Sequence, residues 1–437
     1  MPFFEKGDVK SKATRKQASC ARCPLMPYKQ STEVAVGGNT DSKKMIVVNQ
    51  PQSSDEDFKR TAQRLAKSPA FMKALRMEGM TGGDLRDRYV FASAMRCHLG
   101  EINPRKRDFK EKQEKAAKAT DCCRPNILNT ISNLKPESIL SISHQSTQTL
   151  ITDAWGPGHY GGLSDFIPEQ VPSQKLNAWI IPIQDPSVWD VKFDNSVEKK
   201  NYNTASYDNY DQVEAFYYSQ ARPWAHGPPD YASMCENIYN SEVASQAILD
   251  MMEDADTEFI AFDYETTTLK PEGDESFIFS VSFSNGHRTI AMPWTPEVRR
   301  ASQKMLLSDH PKIACNMKFE ERWTLNEFGH GVTNWHWDTM QAAHWIQQRP
   351  GITSIKYSSF AKLGQAEYEK GVSHYFKSPS SLTSNKIRKL DTETLLTYNG
   401  MDSLLELLVA YEQMELTIPS FNPRNKFDEL RPIPIGN

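Results

Sequence analysis

Short apolar runs at 45–48, 89–92, 139–142 and 179–183 are each too brief for a helix and are separated by stretches with helical spacing. Buried strands alternating with helical patterns predict an α/β fold built on a parallel sheet. Helical spacing covers 57–78, and a basic helical stretch covers 105–120. A second α/β unit follows, with strands at 258–265, 277–284 and 288–293, a helix at 296–307, a short strand at 312–315, a helix at 317–328 and a long helix at 392–416. Between the two units, 190–235 is rich in Asn, Asp, Ser and Tyr, lacks a period, and ends in a Pro/Gly cluster, which reads as a linker or extended arm. A helix is expected to start near Ser241. The expected organisation is therefore 1–190, a linker over 191–240, and 241–437. A length of 437 residues accommodates it, at roughly 100–200 residues per domain.

Hydrophobic residues make up 38% and charged residues 24%, which excludes a chain disordered throughout. No apolar run approaches the ~20 residues of a membrane span, and the mean hydropathy is −0.61. The N-terminal segment is too polar for a secretory signal. A soluble, cytoplasmic protein is expected, with no membrane partner. Residues 1–120 hold 25 Lys and Arg against 14 Asp and Glu, whereas the rest holds 26 against 41. A basic half suits a polyanion such as nucleic acid, although a solvated surface has the same composition. Seven cysteines in a reducing compartment point to thiols or metal ligands rather than disulfides.

The sharpest chemical signal is Phe262-Asp263-Tyr264-Glu265-Thr266, after the apolar lead-in Phe259-Ile260-Ala261. On a strand, residues two apart share a face, so Asp263 and Glu265 point the same way. Paired carboxylates repel unless a cation lies between them, and hard oxygen ligands suit Mg²⁺ or Mn²⁺. An acidic strand end without a metal has the same pattern. Two further pieces follow in order. Asn316 and Glu320 share one face at the start of a helix, and Tyr398 and Asp402 share one face of the long terminal helix. Glu321 points about 100° away from Glu320 around its helix.

These three pieces resemble the exonuclease motifs of the DEDD superfamily in its tyrosine-bearing branch. They are most similar to the 3′–5′ proofreading domain of phage family A DNA polymerases. The segment Trp337-Asp338-Thr339-Met340 and the run from Tyr398 to Ser403 add to the likeness, which covers about 245–420. The resemblance implies a ribonuclease H-like fold with a mixed sheet and two-metal-ion hydrolysis of DNA from a single-stranded 3′ end. Asp263 would bridge both ions, Glu265 and Asp402 would bind one, Glu320 would hold the second through water, and Tyr398 would orient the attacking water. Asn316 and Lys318 are candidate DNA contacts. The family's second motif carries Asp where this chain has Glu320; the carboxylate is kept and a methylene added. A polymerase would need several hundred residues beyond the exonuclease, so a separate DNA polymerase polypeptide is the expected partner, and the host cytoplasm the expected location if a phage encodes the chain.

The basic half holds Cys20-Ala-Arg-Cys23-Pro24-Leu25, then Cys97, then Cys122-Cys123-Arg124-Pro125. Four thiolates suit zinc or an iron–sulfur cluster, and spacing alone does not choose. The segment 15–190 resembles the iron–sulfur type of uracil-DNA glycosylase, which implies a uracil-DNA-glycosylase-like fold and a [4Fe–4S] cluster on Cys20, Cys23, Cys97 and Cys123, with Cys122 spare and Zn²⁺ as the alternative. In that family the fourth Cys opens a helix. The catalytic loops depart from it: Asn49-Gln50-Pro51-Gln52-Ser53 lacks the family's glycines, and Asp185-Pro186-Ser187 has a carboxylate in place of a His. Loss of uracil excision is therefore expected. The rival readings are a DNA-repair uracil glycosylase and a non-catalytic scaffold subunit of a polymerase complex.

Overall fold

The computed structural model describes residues 20–24, 26, 33–68, 71, 72, 75, 77, 79–98, 109–155, 162–167, 169–186, 228–273, 275–349 and 351–421. These residues fall into two compact units, one up to Pro186 and one from Pro228. The expected arm lies outside the described residues over 191–227, as do Leu25, Ser187 and the basic residues 105–107.

The first unit is a six-stranded sheet. Its strands are β1 (Gly37–Gly38), β2 (Lys44–Val48), β3 (Val90–Ser93), β4 (Ser138–Ile142), β5 (Val171–Ser173) and β6 (Ala178–Ile183), in the spatial order β1-β3-β2-β4-β6-β5. The four inner strands are parallel, as expected. Both edge strands are antiparallel and went unread, because Gly-Gly and Val-Pro-Ser carry no alternation. Helices α1 (Lys59–Ala66), α2 (Gly82–Arg88), α3 (Phe109–Leu134) and α4 (His144–Trp155) connect the strands. One face of the sheet packs Ile46, Phe91, Leu140 and Ile181 against Phe58, Leu65 and Leu85. The helix expected over 57–78 is regular only at α1. The basic stretch continues through Pro125 as one helix, so Cys123 lies inside α3 rather than at a helix start. Proline removes one backbone donor, and a long helix retains the bonds on either side.

The second unit is also six-stranded: β7 (Cys235–Asn237), β8 (Ile260–Thr266), β9 (Ile278–Ser284), β10 (Thr289–Pro293), β11 (Lys312–Ala314) and β12 (Trp335–Asp338), in the order β12-β11-β8-β9-β10-β7. The sheet is mixed, with β9 antiparallel to both neighbours and the outer pairs parallel. Its helices are α5 (Ser241–Glu253), α6 (Pro296–Leu307), α7 (Met317–Phe328), α8 (Thr339–Ile346), α9 (Ile355–Leu363), α10 (Ser373–Phe376) and α11 (Thr392–Thr417). The unit begins before residue 241: β7 pairs with β10, inside the stretch assigned to the linker. Cys-Glu-Asn is too short and polar to read as a strand, and only the paired β10 edge reveals it.

Strand alternation divides β8 between two cores. Ile260, Phe262 and Tyr264 enter the cluster formed with α5, α6 and Trp323 of α7. Ala261 enters the opposite cluster, built largely on α11. Asp263 and Glu265 share Ala261's face and so meet α11. That helix starts with Asp391, whose Oδ1 accepts the Thr394 N–H at 2.9 Å. It rests closely on the sheet at Gly400, where a Cβ would stand 3.1 Å from Cys235 Cβ and 3.4 Å from Ala291 Cβ. Among the described residues no helix is long and apolar enough to cross a membrane.

Candidate active site

Asp263 and Glu265 on β8 converge with Asp402 on α11. Each offers a carboxylate oxygen, and the three oxygens lie within 4.8 Å of one another. Burial, then the Asp402 charge, pushes Asp263 well above the usual carboxylate range. Burial, then Asp263 and Asp402, does the same to Glu265. Glu320 on α7 lies behind this trio. It is 2% exposed, its Oε2 is buried without a hydrogen-bond partner, and burial followed by the Asp263 charge raises its pKa. Glu321 faces elsewhere: its Oε2 accepts from the Val332 N–H at 3.0 Å and Trp335 Nε1–H at 2.9 Å.

Tyr398 is buried one turn before Asp402, stacked on Phe376 and tilted against Tyr368. Burial and the neighbouring carboxylates raise its pKa, so the phenol keeps its proton. Asn316 is half-buried at φ 67°, a left-handed turn before α7. Its backbone N–H donates to Asp338 Oδ1 at 3.0 Å, and the Met317 N–H donates to Asp338 Oδ2 at 3.1 Å. Asp338 also accepts from the Met340 and Gln341 N–H groups, so the Trp-Asp-Thr-Met segment splices α7 to α8. Lys318 is exposed on α7.

Three residues at the site were missed from sequence. Lys356, in the first turn of α9, donates to Asp402 Oδ1 and, at 2.8 Å, to Tyr368 Oη. Its ammonium lies 4.2 Å and 4.3 Å from the ring centres of Tyr368 and Tyr398. Tyr368 Oη also donates to Asp402. Asn399 is fully buried, and its Nδ2 donates to Asp263 Oδ2 at 2.7 Å. A cation opening a helix is disfavoured by the helix dipole, a sequence-level hint that Lys356 faces a negative group.

The donor set fits a hard divalent cation: three convergent carboxylates and a fourth with an unpartnered oxygen, all removed from water. Asp263, Glu265, Asp402 and Glu320 are the residues that would hold Mg²⁺ or Mn²⁺.

In the first unit, Cys20 and Cys23 flank a short 3₁₀ turn, in which the Cys23 N–H donates to the Cys20 carbonyl at 3.1 Å. Burial pushes the Cys123 thiol up to about 11, with smaller contributions from Cys97, Cys23 and Cys20 gathered around it. Cys122 faces Cys23, Asp121 and Arg22 instead. Asp185, after β6, is paired with Arg64 at 2.7 Å. The Asn49 side chain accepts the Ser146 N–H at 3.0 Å.

Residues 235–413 match the sequence model of a family described as 3′–5′ exonuclease. The match runs from β7 almost to the end of α11 and contains all five expected site residues of this unit, so this part of the chain is a 3′–5′ exonuclease-type domain. No curated protein matches the chain. Among solved structures, it is similar to Escherichia coli RNase D, described as an exoribonuclease involved in structured RNA processing, at 14% identity, over 41% of this chain and 44% of that one, with a TM-score of 0.30. The catalytic core of RRP6 from Trypanosoma brucei is 16% identical over 45% and 50%, with a TM-score of 0.30. Brucella melitensis NrnC bound to pGG is 16% identical over 45% and 88%, with a TM-score of 0.28. The chain thus spans less than half the length of RNase D.

Proposed function

We propose that the chain is a metal-dependent 3′–5′ exonuclease that hydrolyses DNA from a single-stranded 3′ end, with a separate DNA polymerase polypeptide as partner. The observation that carries this is the meeting of Asp263, Glu265 and Asp402 oxygens within 4.8 Å on a buried strand and helix, inside a segment that matches the 3′–5′ exonuclease family. Divalent ions held there would supply Lewis-acid polarisation of the phosphodiester and a more acidic water. The chain's own residues prepare that chemistry. Asn399 fixes the rotamer of Asp263 through Nδ2. Tyr398, kept protonated, is placed to orient the attacking water by donating or accepting at Oη. Tyr368 and Lys356 hold Asp402. Asn316 and Lys318 remain candidate contacts to the DNA strand.

The first unit is read as an iron–sulfur domain resembling uracil-DNA glycosylases that binds DNA without excising uracil. Cys97, Cys23 and Cys20 gathered around Cys123 support the cluster. Asp185 engaged by Arg64, where the family has a His, supports the lost excision.

The test is degradation of 3′-labelled single-stranded DNA and RNA of equal sequence by the full chain in Mg²⁺, with EDTA as control. Shortening of DNA from the 3′ end that EDTA stops is expected. No shortening, or full activity in Asp263→Ala, overturns the nuclease reading, and preference for RNA overturns the DNA assignment.

A further inference from the structure

Glu406 follows Asp402 by four residues on α11, so the two project from one side of the helix. It is 2% exposed and faces Asp263, Glu320 and Asp402. The Cys315 backbone N–H, in the turn from β11 to α7, donates to its carboxyl group. Its Oε2 is buried without a hydrogen-bond partner. Glu320 Oε2 is in the same position.

Two neighbouring carboxyl groups, each with an unpartnered buried oxygen, are an unusual pair. Buried acceptors almost always find a donor, and an orphan in a folded protein marks a missing ion or water. Helix packing alone does not account for Glu406. A glutamine there would have the same volume and keep an acceptor for the Cys315 N–H, yet carry no charge to bury. The residue that reaches towards it is Glu320, one methylene longer than aspartate.

We propose that Glu406 and Glu320 form a second cation-binding pair beside the Asp263–Glu265–Asp402 trio, taking Mg²⁺ or Mn²⁺ through its water shell. The pair makes this centre a five-carboxylate site. This rests on the exonuclease reading, and the experiment separates the two.

Mn²⁺ is titrated into the full chain, bound and free ion are distinguished by electron paramagnetic resonance, and melting is followed in EDTA. Wild type is expected to bind two Mn²⁺. Glu406→Gln should weaken one site at least tenfold, leave the other unchanged, and melt in EDTA no lower than wild type, since the amide keeps the Cys315 contact. Glu320→Gln should weaken the same site, and the double variant should lose no more than the worse single change. Glu406→Gln binding two Mn²⁺ with wild-type affinity overturns the proposal while the nuclease reading stands. Independent, multiplying losses in the double variant overturn it as well. Should Glu406→Gln fail to fold, Glu406→Asp keeps the charge on a shorter arm; weakened binding at one site supports the pair, and unchanged binding overturns it. Wild type that binds no Mn²⁺ defeats both readings.

Discussion

Asn399 holds Asp263 at two points. Its Nδ2 donates to the carboxylate Oδ2 at 2.7 Å and to the backbone carbonyl at 3.2 Å. Its own Oδ1 accepts from Ser280 Oγ at 2.9 Å, and its backbone carbonyl accepts from Ser282 Oγ at 2.7 Å. One buried amide thus couples α11 to β8 and β9 at the position where the acid must point.

Asn399→Ala should therefore cost about 1–3 kcal/mol of stability, because it leaves buried partners unsatisfied. Exonuclease turnover should fall with it, as the Asp263 carboxylate loses its donor. Asn399→Asp should be worse for turnover, since it adds a like charge beside Asp263. Chemical denaturation and 3′-end degradation measure the two effects. Wild-type turnover in Asn399→Ala would show that Asp263 needs no such support.

Asp263→Asn and Asp402→Ala should each reduce degradation by at least about 10³-fold with the fold intact by circular dichroism, since these groups stabilise charge that develops in the transition state. Tyr398→Phe should cost less than Glu320→Gln, because it removes one hydrogen bond and no carboxylate. The reverse order in single-turnover rates would reassign the two roles.

Lys356 supplies positive charge to three carboxylates when no metal is present. Lys356→Met should lower the melting temperature in EDTA, and Mn²⁺ should recover more stability in the variant than in wild type. Equal Mn²⁺-induced shifts in the two proteins would argue against this counter-ion role.

The pH dependence has a definite sign. Burial, then neighbouring charge, raises Asp263 and Glu265 in the folded state, so the metal-free folded protein binds more protons than the unfolded chain. Stability in EDTA should fall as pH rises from the ordinary carboxylate range, about pH 4, up through the raised values. Glu265→Gln should flatten that slope, and excess Mg²⁺ should flatten it in wild type. A slope that Glu265→Gln leaves unchanged would place its origin elsewhere.

Protein purified without oxygen should be brown, with about four irons per chain. Cys123→Ser should lose the colour and Cys122→Ser should keep it, because Cys123 rather than Cys122 has Cys20, Cys23 and Cys97 around it. Colourless protein with one zinc per chain would favour the alternative metal.

What the sequence made legible was whatever repeats at strand or helix period. The helices α6 and α7 fall where their spacing predicts, and Asp263, Glu265 and Asp402 meet because a strand and a helix each project alternate residues to one side. Edge strands β1, β5, β7 and β12 were not legible, since pairing rather than composition makes them strands. Lys356, Tyr368 and Asn399 were missed because each acts across the fold, on residues 46, 34 and 136 positions away. Glu406 was hidden in plain helical spacing. Nothing in Leu-Leu-Glu-Leu-Leu says that its acid is buried, and only the packing of α11 on the sheet reveals it.

Gly400 acts as a spacer by omission. It sits between Tyr398 and Asp402, where α11 touches Cys235 and Ala291, and any side chain there would work as a shim under the helix. Relieving contacts of 3.1–3.4 Å takes a shift of about a few tenths of an ångström. That is the same size as the gap between Mg²⁺–oxygen distances of about 2.0–2.1 Å and Ca²⁺–oxygen distances of about 2.3–2.6 Å. A single methyl group, remote from every carboxylate, would therefore retune the aperture of the centre towards larger ions, making metal preference a property of how closely a helix lies on a sheet.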